Sequence, residues 1–380
     1  MVRVLQVSWE YPPLLVGGLG RHVGMLAPQL AELGHDVRVL TLGTGPRPVT
    51  ERAGPVLVRR TARLPDGPLL EQARAGARSL ADAAGEVLAG WRPDVVHGHD
   101  WLAAAATELL ARRTGAARVI TLHATEVGRQ QGWLTTGLQR RIHRVERRMC
   151  ARSDAVLACS RYLAEHARRV FELPAVPRVI GNGVAPGSAA GPVGAAGERH
   201  PARIAFAGRL VHEKGLQELI KALPLLAGRH PGIELVVAGA GPLAAAQHDR
   251  AHRYGVAGRI RWLGFVDGEP LHRVLAGAAV VVVPSLYEPF GLVALEAQLA
   301  GTPVAVSDTG GLRELVAPGR TGLRFAPESP AAIAAAVHRL LTEPGRAARM
   351  ARHARRRAES EFGWPAVAAR TAAAYAEVRG

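Results

Sequence analysis

The stretch Arg203-Ile-Ala-Phe-Ala-Gly-Arg-Leu-Val-His-Glu-Lys-Gly215 decides how this chain folds. It opens with a strand-like run at 203–207, crosses a loop carrying Gly208, Arg209 and Lys214, and enters a segment of helical periodicity at 215–226. A strand feeding a glycine-bearing loop and then a helix is the repeating unit of a doubly wound α/β sheet. Outward from this stretch the same alternation continues. Strand-like runs stand at 2–7, 37–42, 94–97, 118–122 and 155–158 before it, and at 234–238, 259–263, 279–283 and 303–306 after it. Several are apolar without interruption, as in parallel strands buried on both faces. Helical segments such as 292–300 lie between them.

At roughly 150 residues per domain, the chain of 380 residues is expected to hold two or three domains. Residues 183–201 are rich in Gly, Ala and Pro and have no apolar period, which reads as a linker. The expected organisation is a first Rossmann-like domain over 1–183, a linker at 184–201 and a second such domain over 202–360. A helix at 361–380, after a Phe-Gly-Trp-Pro break, is expected to cross back to the first domain. Two open sheets facing each other would bring their strand carboxyl ends onto a shared cleft, where sheets of this kind bind ligands.

Hydrophobic residues at 48% and charged residues at 21% are ordinary for a globular protein. Cys150 and Cys159 match no zinc or redox spacing and read as reduced thiols. No run reaches the ~18 apolar residues of a membrane span, and the start lacks the apolar core of a secretory signal; a cytoplasmic protein is expected. The net charge of +16 admits anionic partners such as nucleotides, phospholipid headgroups or nucleic acid, and a compositional bias toward Arg also produces it. With 4% aromatic residues and no helix-turn-helix or stacking motif, nucleic acid is not the expected partner. The basic runs at 139–148 and 349–357 have few apolar residues and read as solvated helix faces rather than peripheral membrane contacts. His97 and His99 lack further ligands at suitable spacing, so no metal site is expected.

Three motifs carry chemistry. The loop at 11–20 follows the first strand and precedes a helix near 21–33; Gly17 and Gly18 let the backbone approach an anion at the helix N-terminus, unless the loop is an ordinary turn. A dinucleotide fingerprint fits it poorly, because the third glycine is missing. Arg209 and Lys214, at the second strand–helix junction, can neutralise a diphosphate and stabilise it as it departs, or be surface cations of a solvated loop. The third motif is Pro284-Ser-Leu-Tyr-Glu-Pro-Phe-Gly-Leu-Val-Ala-Leu-Glu296. Pro289 suits the first turn of a helix, which would set Glu288 and Glu296 about 12 Å apart along it. That is too far for one acid/base pair acting on a single bond. The two carboxylates suit separate hydroxyl clusters, a sugar and a ribose, with backbone N–H groups near Phe290 and Gly291 available to phosphate. Simple complementation of a helix dipole is the other reading of Glu288.

Taken in order, these motifs resemble the retaining glycosyltransferases of family 4, which include glycogen and starch synthases. The resemblance runs through 8–20, His97-Gly-His-Asp-Trp101, Thr121-Leu-His-Ala-Thr125, Cys159-Ser160, Gly181-Asn-Gly-Val184, 208–215 and the E-x7-E of Glu288 and Glu296. It implies a GT-B fold, two Rossmann-like doubly wound parallel-sheet domains facing across a cleft. It also implies a nucleotide-diphosphate sugar donor, a hexosyl and preferably glucosyl group, and a glycan acceptor. A small-molecule or lipid acceptor is the alternative, and a phosphorylase or epimerase on the same fold a more distant one. By the same resemblance, Arg209 and Lys214 bind the donor diphosphate, Glu296 the ribose and Glu288 the sugar hydroxyls. Phe290, Gly291 and Leu292 supply backbone contacts, and Gly17 and Gly18 close over the phosphates. His123 lies near the anomeric carbon, and His99 and Asp100 near the acceptor. The implied route is front-face substitution without a protein nucleophile. No Asp-x-Asp motif occurs, so neither a metal nor another cofactor is expected. Where glycogen synthases carry Lys-Thr before the paired glycines, this chain has Leu15-Val16, and its Ser8-Trp-Glu-Tyr-Pro-Pro13, His97-Gly-His-Asp-Trp101 and Thr121-Leu-His-Ala-Thr-Glu126 look closer to shorter actinobacterial α-glucosyltransferases of glycogen and methylglucose polysaccharide synthesis. The loops at 63–78 and 125–136, which would shape the acceptor pocket, carry no legible code. The base stays open among UDP, ADP, GDP and TDP, its pocket falling near 265–267.

Overall fold

A computed structural model of the chain describes residues 1–15, 17–184 and 199–378. It forms two compact units, Met1–Gly183 with Trp364–Gly380, and Val184–Gly363. Most of the expected linker, and Val16 of the Leu15-Val16 departure, lie outside the described residues.

The first unit is built on eight strands: β1 (Arg3–Ser8), β2 (Asp36–Thr41), β3 (Val49–Ala53), β4 (Val56–Arg60), β5 (Val95–His99), β6 (Ala117–Leu122), β7 (Ala155–Ala158) and β8 (Arg178–Val179). Their order is β3-β4-β2-β1-β5-β6-β7-β8, parallel throughout except for β3 against β4. Helices pack on the sheet and bury Leu5, Val7, Leu40, Leu80, Val96 and Leu110 in one core. The apolar part of β1 is therefore covered on both faces, and Gln6, a polar residue within it, is fully buried. The last helix, Trp364–Glu377, belongs to this unit. It drives Tyr375 into the interior and sets Trp364 over Gly183, where a Cβ would come within 2.4 Å of the indole.

The second unit carries six parallel strands: β9 (His200–Ala207), β10 (Glu234–Ala238), β11 (Ile260–Gly264), β12 (Ala278–Val283), β13 (Val304–Ser307) and β14 (Leu323–Phe325). Their order is β11-β10-β9-β12-β13-β14. Ile204, Phe206, Leu219, Leu223, Val280, Val282 and Val337 share its core. The strand that opens this unit starts at His200, two residues into the stretch expected as linker.

In both sheets the strand order reverses once, between β1 and β5 in the first and between β9 and β12 in the second. At such a switch point the loops leaving two adjacent strands run in opposite directions and open a crevice at the strand carboxyl ends. The residues leaving β1, β5, β9 and β12 are therefore the ones the topology marks for ligands.

One local expectation fails. The helix after β12 is Leu292–Leu299, with Gly291 as its N-cap at φ 108°. Pro289 lies before it, so Glu288 is on irregular chain outside the helix rather than in a first helical turn, and the 12 Å helical spacing to Glu296 does not apply. A glycine at positive φ breaks the helical path that Pro289 suggested.

The basic stretch 139–148 lies in the helix Gly137–Ala151, started by a capping box between Thr136 and Gln139. That helix turns Ile142, Glu146, Met149 and Cys150 inward, while Arg147 pairs with Glu172, and Arg148 and Arg152 with Glu108. No helix among the described residues is long and apolar enough to cross a membrane.

Candidate active site

The second unit places its charged residues on two loops that its topology makes neighbours. The chain leaves β9 at Ala207 and makes a tight turn, His212–Lys214, ended by Gly215 at φ 71°. A Cβ on Gly215 would fall 1.9 Å from the carbonyl oxygen of Pro284, so only glycine lets this turn dock on the chain leaving β12. The backbone N–H of Leu286 donates to the Glu213 carbonyl at 2.8 Å and holds the two loops together. Lys214 Nζ is thereby 2.8 Å from Glu288 Oε2, and Ser285 Oγ donates to the same oxygen at 3.1 Å. Glu288 is only 8% exposed, and a carboxylate so buried requires partners of this kind. From the other side, Gly311 donates its N–H to the Glu288 carbonyl at 2.8 Å, and a Cβ on Gly310 would come within 2.1 Å of that carbonyl.

Arg209 is more open and pairs with Glu213 at 3.2 Å. Phe290 is buried; Gly291 and Leu292 form the N-terminus of the next helix, and Glu296 lies within it, half-buried. The structure thus joins Lys214 directly to Glu288, sets Arg209 on the same loop, and puts Phe290, Gly291, Leu292 and Glu296 on the segment that continues from Glu288. Ser285 is a member that sequence reasoning missed; a lone serine in a loop carries no signal.

In the first unit, Gly17 caps the helix Gly18–Glu32 and donates its N–H to Glu10 Oε2 at 3.0 Å. Space is open where a Gly17 side chain would stand. Beside this helix lies a network of buried polar groups. His99 ends β5 and His123 follows β6, two neighbouring strands. His97 Nδ1 meets the Tyr375 hydroxyl at 2.7 Å and His97 Nε2 meets Thr121 Oγ1 at 2.7 Å. Gln6 Nε2 donates to the same tyrosine at 3.0 Å, and Gln6 Oε1 faces His99 Nε2 at 2.6 Å. An amide oxygen has no hydrogen to give, so His99 Nε2 is the donor. His99 Nδ1 is then the acceptor toward His123 Nε2, 3.3 Å away.

Burial and mutual repulsion hold His22, His97 and His99 well below the usual imidazole range; burial, then Arg129, lowers His123 to about 3. All four rings are neutral near pH 7. Asp100 adopts φ 58°, a left-handed conformation that costs a non-glycine residue about 1–3 kcal/mol and marks functional sites. Its Oδ1 accepts the His123 backbone N–H at 2.7 Å. Burial raises its pKa against Arg129 and the N–H groups of His123 and Ala124.

The structure brings His99, Asp100 and His123 together, and it adds three residues that were not expected, His22, Gln6 and Tyr375. Gln6 had a signal, being a polar residue inside an apolar strand. His22 on a helix face and Tyr375 near the end of the chain had none. The spacing argument about His97 and His99 missed that folding delivers partners from elsewhere: His97 turns to Tyr375 and Thr121, while His22 and His123 come beside His99.

The family model for glycosyl transferases group 1 matches residues 197–357, and that for glycosyltransferase family 4 matches residues 16–187. A glycogen synthase of Mycobacterium tuberculosis is 40% identical over 98% of this chain and 94% of its own length. An alpha-maltose-1-phosphate synthase of Mycolicibacterium smegmatis is 30% identical over 99% of this chain and 100% of its own. Among solved structures, a sucrose-phosphate synthase from Thermosynechococcus elongatus superposes with a TM-score of 0.83 at 25% identity, covering 100% of this chain and 99% of that one. The chain belongs to the family 4, group 1 glycosyltransferases. It is a hexosyltransferase of GT-B fold.

Proposed function

We propose that this glycosyltransferase moves a glucosyl unit, with retention of anomeric configuration and without a metal cofactor, from a nucleoside diphosphate glucose to a hydroxyl of a glucan in the cytoplasm. The observation that carries the reading is the joining of Lys214, Ser285 and Glu288 across the two loops of the β9/β12 switch point. In this reading Lys214 and Arg209 take the diphosphate, assisted by the N–H groups that begin the helix Leu292–Leu299. Glu288 holds hydroxyls of the donor sugar and Glu296 the ribose. The bond from C1 to the diphosphate oxygen breaks as the acceptor hydroxyl forms its bond to C1 on the same face. The hydroxyl proton passes to the departing phosphate oxygen, and the two cations stabilise the charge that collects there. His123, neutral and buried, suits hydrogen bonding to the sugar rather than charge stabilisation. The glucan acceptor is supported by the 40% relative named glycogen synthase. Glucose 1-phosphate is a second acceptor to test, because a 30% relative is named alpha-maltose-1-phosphate synthase.

The test is thermal unfolding of the purified protein with UDP-, ADP-, GDP- and TDP-glucose in EDTA. The donor that raises the melting temperature is then incubated with glycogen or with glucose 1-phosphate, and the new linkage is read by NMR. An α-linked product formed in EDTA is expected. A β-linked product, or transfer abolished by EDTA, overturns the mechanism; no response to any donor overturns the donor assignment.

A further inference from the structure

We propose that His22, His99 and His123 bind a borderline divalent transition metal such as Zn²⁺, and that this metal inhibits the enzyme. Each residue offers one ring nitrogen, and the three nitrogens lie within 4.8 Å of one another. Two imidazoles on one tetrahedral Zn²⁺, with bonds of about 2.0–2.1 Å, have nitrogens about 3.4 Å apart. His99 Nδ1 and His123 Nε2 already stand 3.3 Å apart. The His22 ring is edge-on to His123 at 4.9 Å between centroids and 5.5 Å from His99, so a modest ring rotation completes the trio.

The three ligands come from rigid elements: the helix that follows β1, the last residue of β5 and the residue after β6. Behind His99, the carbonyl of Gln6 accepts from Nε2 and turns Nδ1 inward, the kind of outer partner that fixes a metal-binding histidine. The donor set is imidazole nitrogen alone, which suits Zn²⁺, Co²⁺, Ni²⁺ or Cu²⁺ and not the oxygen-seeking Mg²⁺ or Ca²⁺.

Without metal, one proton bridges the His99–His123 pair. A cation needs both facing nitrogens bare, so that proton moves to His123 Nδ1 and the ring is committed to the metal. The inhibitory half of the proposal rests on the role given to His123 in the transfer reaction; the binding half does not.

The probe is Co²⁺ added to the chelator-stripped full chain. One Co²⁺ per chain with the visible absorption of a four-coordinate site is expected, lost in His22→Gln and in His99→Gln. Gln6→Met, which removes the carbonyl behind His99, is expected to weaken the affinity by about 10–100-fold. The His230–His338 pair of the other unit, 2.9 Å apart, is the control, and His230→Gln is expected to keep the band. A wild-type chain without the band overturns the site, as does a band that survives His22→Gln and disappears in His230→Gln. Thermal unfolding reports whether each variant folds, and His22→Asn replaces His22→Gln if the latter does not. Zn²⁺ is then expected to displace the band, to suppress transfer reversibly by EDTA, and to lose that effect in His22→Gln. Displacement without loss of rate overturns the inhibitory half. If no donor supports transfer, the functional reading falls while the Co²⁺ band still decides the site.

Discussion

At the ends of β5 and β6 the polar groups are buried, neutral imidazoles, whereas the loops after β9 and β12 join a buried carboxylate to a lysine and carry an arginine, both cations reaching water. His97 and His99 are fully buried, while the side chain of Lys214 is 23% exposed and that of Arg209 47%. The second region stands at the switch point of its sheet, between β9 and β12, and the first beside that of its own, between β1 and β5. They differ in how much protein surrounds the strand ends. In the first unit the C-terminal helix covers the network with Trp364 and Tyr375, so charge is expelled and the groups are tied by hydrogen bonds. In the second, the loops leave the Lys214 and Arg209 side chains partly exposed. One fold thus yields a buried, neutral hydrogen-bond network in one unit and a charged, more open pair of loops in the other.

The sharpest way to break this contrast is Lys214→Ala. It is expected to lower turnover by about 10²–10³-fold, roughly 3–4 kcal/mol of transition-state stabilisation, and to lower the melting temperature while unfolding stays cooperative, because buried Glu288 loses its cation. Initial rates with the active donor check it, and a wild-type rate would remove the diphosphate from Lys214. Next comes Gly215→Ala, where a positive φ and a Cβ 1.9 Å from a carbonyl oxygen are expected to cost about 3 kcal/mol in denaturant unfolding and to detach Lys214 from Glu288. An unchanged midpoint would mean that the loops are not held as described.

In the buried region, Tyr375→Phe leaves Gln6 Nε2 and His97 Nδ1 without their shared partner. A loss of about 2 kcal/mol is expected by the same unfolding measurement. No loss would show that the network does not depend on the C-terminal helix.

The smallest effect is one of pH. Burial pushes Glu146 up to about 8, Asp100 and Glu126 add to the rise, and the Glu126 N–H and Arg129 oppose it. From about 4.5 to 8 the folded chain holds a proton that the unfolded chain has released. Its contribution to stability is therefore full below about 4.5 and is lost as pH rises through 8, at about 1.4 kcal/mol per unit. Glu146→Gln is expected to flatten this slope in denaturant midpoints measured across the window. An unaltered slope would mean that the buried region tolerates a charge there after all.

Much of the fold was legible because strands buried on both faces must be apolar. The runs at 155–158 and 234–238 coincide with β7 and β10, and most others shift by a residue or two. The hairpin of β3 and β4 escaped because β3 is polar and largely exposed at a sheet edge. β8 and β14, of two and three residues, are too short for a pattern. In the candidate site, Arg209, Lys214 and Glu288 stood out as charges at strand–helix junctions. The path of Glu288 did not, since Pro289 mimicked a helix start that Gly291 postpones.

The sequence by itself determined the alternation of strands and helices, and so the parallel sheets, because hydrophobic periodicity is a local property. It also determined which loops carry charge. Only the tertiary structure decided that Lys214 reaches Glu288 rather than solvent, since their meeting depends on sheet order and on a turn that fits under Pro284. It alone decided that His22, His99 and His123 meet and are neutral. Contacts between residues so distant in sequence, and the loss of water that follows from them, exist only once the chain has packed.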